Sequence, residues 1–175
     1  MKPRVSIVMG SDSDLSIMSK SAAVLSDFRI RYEMIICSAH RSPAATHTYA
    51  TALEKRGIEV VIAGAGGAAH LPGVIASWIT IPVIGVPVFT SALHGVDSLY
   101  SIIAMPPGIP VATVGINAAV NAGLLAVEIL SVSDASLRTS LRVYKKKLAG
   151  AVDQKNKKLQ RRGYKAYLQS MEGKI

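Results

Sequence analysis

Five short runs of apolar, largely β-branched residues punctuate the chain: VSIVMG at 5–10, YEMIIC at 32–37, VVIAGA at 60–65, the run from Ile81 to Val88, and VATVG at 111–115. Runs this short and this continuously apolar are expected of strands buried on both faces of a parallel sheet. Stretches with helical periodicity alternate with them, at 13–26, 43–56, 68–79, 95–103 and 118–130. Five alternations of strand and helix predict right-handed crossovers and an α/β fold with a doubly wound parallel sheet. A further helix starts near residue 134, with Ser133 or Asp134 as its cap, and forms a C-terminal helical extension in which Gly150 and Gly163 are the expected weak points.

A chain of 175 residues is most simply one domain, long enough to bury roughly 70% of its unfolded surface. Half of the residues are hydrophobic and 18% are charged, an apolar excess that points to buried subunit contacts. The net charge of +9 is unevenly placed. From Arg138 onward twelve Lys and Arg face only Asp153 and Glu172, whereas residues 1–137 carry eight basic and nine acidic groups. The expected organisation is therefore an α/β domain over 1–132 and a basic helical extension over 133–175 that packs on a neighbouring subunit. A basic tail can attract nucleic acid or an anionic membrane. Here Leu137, Leu141, Tyr144, Leu148 and Val152 recur at helical spacing with lysines between them, which reads as a solvated helix with one apolar face. No aromatic-rich or nucleic-acid motif accompanies the charge, so nucleic acid is not the expected partner.

Between Val60 and Val127 the only charged residue is Asp97, which raises the question of a membrane span. Pro72, Pro82, Pro87, Pro106, Pro107 and Pro110 interrupt the run, and no piece supplies about 20 uninterrupted helix-forming residues. No membrane association is expected. The lone Cys37 excludes an internal disulfide and fits a reducing compartment, and the first residues lack a signal-peptide core, so a cytoplasmic location is expected.

Candidate chemistry lies in the turns that follow the first three strands, since ligands of open α/β sheets bind beyond the carboxyl ends of the strands near the switch in strand order. In GSDSD, Ser11 and Ser13 beside free amides suit a phosphate, and Asp14 is the residue type that accepts hydrogen bonds from ribose hydroxyls. In SAHR, His40 follows a strand directly and has an imidazole suited to proton exchange near neutrality, while Arg41 can hold a phosphate or carboxylate through its fork. His47 falls inside a helical stretch and reads as surface or packing; His94 is ambiguous. In AGAGGAAHLPG, Gly64, Gly66 and Ala69 fit a dinucleotide fingerprint, but they follow the third strand and no acid stands about 20 residues further on. A receiver-type phosphorylation site is excluded because the third strand ends without an aspartate. The better reading is that Ala65, Gly66 and Gly67 let a flat heterocycle lie against backbone amides, with His70 at the edge.

Taken together, MGSDSD, SAHRSP, AGAGGAAHLPG, GVPV, GVDSLYSI, MPPGIPVATV and NAGLLA resemble, in order and nearly in spacing, the class I N5-carboxyaminoimidazole ribonucleotide mutases of purine biosynthesis, the PurE family. The motifs cover residues 4 to about 131. The resemblance implies a three-layer α/β/α fold of flavodoxin-like order, a homo-octamer, and transfer of a carboxylate from N5 to ring carbon C4 of an imidazole ribonucleotide with no cofactor and no metal. It implies His40 as general acid and base and His70 as the group that polarises or positions the carboxylate. Gly10, Ser11, Ser13 and Asp14 would engage phosphate and ribose, Ser38, Ala39 and Arg41 would hold the nucleotide, and Ala65, Gly66, Gly67, Ala68 and Leu71 would line the base and carboxylate pocket. Ala104 stands where the family usually has glutamine, and the 115–123 segment is short. A second class of the family carboxylates aminoimidazole ribonucleotide directly with CO2; Arg41 and AGAGG point to the mutase.

Overall fold

The computed structural model describes residues 2–172. In chain order the elements are β1 (Val5–Met9), α1 (Leu15–Asp27), β2 (Tyr32–Ile36), α2 (Pro43–Thr51), α3 (Leu53–Arg56), β3 (Val60–Gly66), α4 (Leu71–Ala76), β4 (Val83–Val88), α5 (Val96–Ile103), β5 (Ala112–Thr113), α6 (Ala119–Leu130), α7 (Ala135–Arg162) and α8 (Tyr164–Glu172). All pairings are parallel and the order is β2-β1-β3-β4-β5, the flavodoxin-like doubly wound arrangement.

The continuous apolar runs are explained by two cores, one on each face of the sheet. Along a strand successive side chains point to opposite faces. Val5, Ile7 and Met9 of β1, Val60 and Ile62 of β3, and Ile84 and Val86 of β4 enter the core shared with α1, α6 and the start of α7. Val8, Val61, Ala63, Ala65 and Val83 enter the other core, beneath the α2–α5 layer. Each large side chain so buried contributes about 1.5–3 kcal/mol relative to exposure.

Two edge strands depart from the expectation of full burial. β2 is only half-buried and its last residue, Ile36, is exposed, because β2 has one strand neighbour instead of two. The fifth strand, expected over 111–115, pairs through Ala112 and Thr113 alone. The helix expected over 43–56 is divided at Ala52, which nevertheless keeps helical dihedrals of φ −85° and ψ −14°. The helix expected over 68–79 is confined to α4, since the preceding residues are spent on a turn.

The long α7 runs unbroken through Gly150 and stops at Gly163, whose φ of +71° a side chain would resist. Asp134, not Ser133, caps it, accepting from the N–H groups of Ser136 and Leu137 and pairing with Arg4 at 3.1 Å. Leu137 and Leu141 tie its first turns to the core; Val143, Leu148 and Val152 further along are exposed. Among the described residues no helix is long and apolar enough to cross a membrane.

Candidate active site

The strand order reverses at β1, so the loops after β1, β2 and β3 meet above the carboxyl ends of β1 and β3. They enclose a crevice of about 430 Å³, in the range of small-molecule sites. Its lining includes Gly10, Ser11, Ser13 and Asp14 from the first loop, Ser38, Ala39, His40 and Arg41 from the second, and Ala65, Gly66, Ala68 and Leu71 from the third. An adjoining hollow of about 390 Å³ shares Gly10, Ser11, Ser38 and Arg41 and extends the cleft along β2.

The first two loops are held by their own side chains. Ser11 Oγ accepts from the Ser13 N–H and starts a single 3-10 turn at Asp12–Asp14. The peptide N–H of Arg41 donates to Ser38 Oγ at 3.1 Å, and Thr46, fully buried, donates from its hydroxyl to the Ser38 carbonyl at 3.1 Å. Pro43 opens α2 with a φ already suited to the helix. The Arg41 guanidinium crosses to the Gly10 carbonyl at 2.8 Å, joining the two loops and leaving further N–H groups for an anion.

Asp14 is buried at the base of this wall. Burial pushes its carboxyl above the usual 3.8, opposed by the Ser13 hydroxyl and, more weakly, the charge of Arg41. A buried carboxylate that lacks a full set of donors is prepared to accept hydroxyl hydrogens from a ligand. Burial likewise raises the thiol of Cys37, which packs in the core below the second loop.

The two candidate histidines meet. His40 Nε2 lies 2.9 Å from His70 Nδ1, with the rings edge to face and 5.0 Å between centroids. One ring must donate and the other accept, so the two facing nitrogens share a single proton. Both rings are exposed; His40 lines the crevice, whereas His70 is not among its lining residues and meets it through His40. His47 instead packs against Trp78, centroids 4.8 Å apart, and His94 lies beside Phe89 with φ +52°.

The glycines of the third loop have separate tasks. A Cβ on Gly64 would stand 2.3 Å from Met18 Sδ, so Gly64 is bare because α1 packs onto it. Gly66 borders the crevice, where a Cβ would meet Thr90 Cγ2 at 3.4 Å. Gly67 adopts φ +67°, and its amide does not face the crevice as expected: it donates to Ser98 Oγ at 2.8 Å. Sequence reasoning also missed Val88, Phe89 and Thr90, which line the crevice from the end of β4. The rule that placed the other loops, carboxyl ends of adjacent strands, was available for this one too.

Comparison with known proteins follows the same lines. Residues 4–151 match the family model described as AIR carboxylase. The chain is similar to the N5-carboxyaminoimidazole ribonucleotide mutase of Thermotoga maritima, with 54% identity over 97% of this chain and 99% of that protein. It is likewise similar to the protein of the same name from Pyrococcus abyssi, with 56% identity over 95% of this chain and 96% of the relative. The crystal structure of Treponema denticola PurE superimposes with a TM-score of 0.84 at 31% identity, covering 90% of this chain and 99% of that one. The similarity thus runs into the basic tail and does not end near residue 131.

Proposed function

The chain belongs to the AIR carboxylase family, and from that premise we infer that it is an isomerase of purine biosynthesis, the N5-carboxyaminoimidazole ribonucleotide (N5-CAIR) mutase, with the crevice as its active site. The observation that carries the assignment of residues is the convergence of a wall of hydroxyls with Arg41, a bare backbone wall and His40 in one crevice, with His70 in contact with His40. The ribonucleotide phosphate is held by Ser11, Ser13 and the Arg41 guanidinium, and Asp14 accepts from the ribose. The imidazole ring lies along Ala65, Gly66 and Ala68.

His40 is the general acid and base. It gives a proton to N5 as the N5–carboxylate bond breaks and CO2 leaves; C4 then forms a bond to the CO2, and His40 recovers a proton from C4. One proton is donated and one regained, so the imidazole ends as it began and no other reactant is consumed. His70, in contact with His40, positions the carboxylate. Free CO2 would be lost to solvent, so a wall of glycine and alanine that lets the ring lie close against backbone serves the reaction as much as the base does.

The family model's description favours one other reading, direct carboxylation of aminoimidazole ribonucleotide (AIR) by CO2 in the same crevice. A single experiment separates the two. Purified protein is given N5-CAIR, or AIR with bicarbonate, without ATP. Rapid conversion of N5-CAIR at low bicarbonate supports the mutase; turnover of AIR and bicarbonate alone overturns it.

The exposed apolar side chains Phe89, Leu93, Val96, Tyr100 and Ile103, together with Val143, Leu148 and Val152 on α7, support self-association in which the extension over 133–175 packs on a neighbour, and the family resemblance sets the proposed number at eight. Light scattering at assay concentrations tests this: the mass of eight chains supports it and any smaller assembly refutes it. We place the reaction in the cytoplasm, in keeping with a single, buried cysteine.

A further inference from the structure

Helix α5 contributes no side chain to the lining of the crevice, yet its first turn holds the backbone that does. Ser98 is completely buried. Its hydroxyl donates to the Val88 carbonyl at 2.7 Å and accepts from the Gly67 N–H at 2.8 Å, so one oxygen bridges the ends of β3 and β4. One turn further on, on the same face, Ser101 Oγ reaches the Gly67 carbonyl at 3.2 Å and the Asp97 carbonyl at 2.8 Å. Asp97, the single charge between Val60 and Val127, accepts from the Thr90 hydroxyl at 2.8 and 2.9 Å.

The Gly67 N–H is therefore held by a side chain of α5, while its carbonyl accepts from the Ala69 N–H at 2.8 Å and lies within reach of Ser101 as well. The left-handed conformation of Gly67 aims its amide at α5; an added Cβ would meet nothing nearer than Asp97 Oδ2 at 4.0 Å, so it is this conformation and not crowding that calls for glycine. Turned this way, Gly67 presents Gly66 and Ala68 to the crevice and delivers His70 to His40. The anchoring groups on the other wall, Ser38 and Arg41, form their hydrogen bonds with one another and with Gly10, not with α5.

We propose that Ser98, with Ser101 beside it, is a positioning residue of the mutase reaction: it fixes the bare wall and the His40–His70 contact from behind, and so governs turnover without governing nucleotide affinity. The inference rests on the mutase reading for its kinetic form. Ser98→Ala lowers kcat by between about tenfold and a hundredfold, the effect of misplacing reacting groups by a fraction of an ångström to an ångström. KM for N5-CAIR stays within about threefold, because the phosphate wall is untouched. Ser98→Cys, with a weaker donor and acceptor in the same place, falls between. Ser101→Ala, at a partly exposed helix position that tolerates alanine, shows the same split at about threefold in kcat.

A readout independent of activity accompanies the kinetics. In the substrate-free protein carrying 13C-labelled histidine, Ser98→Ala and Ser101→Ala shift the imidazole resonances of His40 and His70 and leave that of His47 in place. Wild-type kcat in Ser98→Ala, or equal losses in kcat/KM through KM alone, overturns the proposal. If Ser98→Ala does not fold, wild-type kcat with unmoved His40 and His70 resonances in Ser101→Ala overturns it instead. Failure of the unmodified protein to convert N5-CAIR defeats the mutase reading separately, and the resonances still decide whether α5 sets the histidine pair.

Discussion

The crevice wall built by the loops after β1 and β2 and the wall built by the ends of β3 and β4 are made of different material. The first is side chain: hydroxyls of Ser11, Ser13 and Ser38, the carboxyl of Asp14 and the guanidinium of Arg41. The second is mostly backbone and apolar side chains, Ala65, Gly66, Ala68, Leu71, Val88 and Phe89, together with Thr90, whose hydroxyl donates to Asp97. The first wall braces itself through hydrogen bonds between near neighbours in its own loops and the Arg41 bridge to Gly10. The second has few side chains to brace with: its backbone closes on itself where the Ala69 N–H donates to the Gly67 carbonyl and the His70 N–H to the Ala68 carbonyl, both at 2.8 Å, and α5 holds it from outside. Under the proposed reaction a charged ligand end would need groups that donate and accept, and a reacting ring would need a fixed surface. The division of labour follows from that.

The sharpest challenge to this division falls where the walls meet. His40→Asn keeps a hydrogen-bonding side chain of similar reach but removes the proton carrier, and is expected to lower kcat by about 10³-fold or more while calorimetric binding of the ribonucleotide persists. Loss of binding in step with turnover would show that His40 belongs to the anchoring wall. Next in size, Arg41→Ala removes a charge-assisted contact worth about 1.5–3 kcal/mol and is expected to raise KM about ten- to a hundredfold with kcat near wild type. A kcat effect as large as the KM effect would dissolve the contrast between the walls. On the bare wall, Gly66→Ala adds a methyl that meets Thr90 Cγ2 at 3.4 Å. This is ordinary contact, so the thermal midpoint should hold within about 2 °C while kcat/KM falls about fivefold through lost room for the ring.

The smallest effect concerns stability. Burial raises the Asp14 carboxyl above 3.8, so its contribution to stability is fully present below the ordinary carboxylate range and is lost as pH rises through the raised value. At neutral pH the ionised, ligand-free group opposes folding. Asp14→Asn is therefore expected to raise Tm by about 1–3 °C at pH 7, the advantage vanishing as pH falls below 3.8. Differential scanning calorimetry across that window checks the sign, and a variant less stable at pH 7 would mean that Asp14 is already satisfied within its own wall.

These walls also differ in how legible they are in the amino-acid sequence. GSDSD and SAHR carry their chemistry in residue type and in place after a strand, so local pattern could name residues that the fold then brings to the crevice, Ser11, Ser13, Asp14, Ser38, His40 and Arg41. The glycine-rich stretch could be recognised as unusual but not apportioned. Gly64 serves helix packing against Met18, Gly66 borders the crevice, and Gly67 turns the chain and gives its amide to Ser98. Three glycines so close together look alike as letters because what distinguishes them is which group stands opposite each. Val88, Phe89 and Thr90 escape a reading of local pattern for a related reason: side chains at a strand end that contribute only shape carry no chemical signature of their own.

By itself the amino-acid sequence determined the alternation of strand and helix and the three loops that converge on the crevice. Those follow from periodicities of two and 3.6 residues and from turn chemistry, all of which act within a few positions along the chain. Only the tertiary structure decided that His40 and His70, 30 residues apart, share a proton, and that Ser98 reaches back 31 residues to hold Gly67. A hydrogen bond depends on distance and angle in space, and between residues so far apart on the chain those are set by how two packed cores fix the sheet and its helices, not by any local pattern.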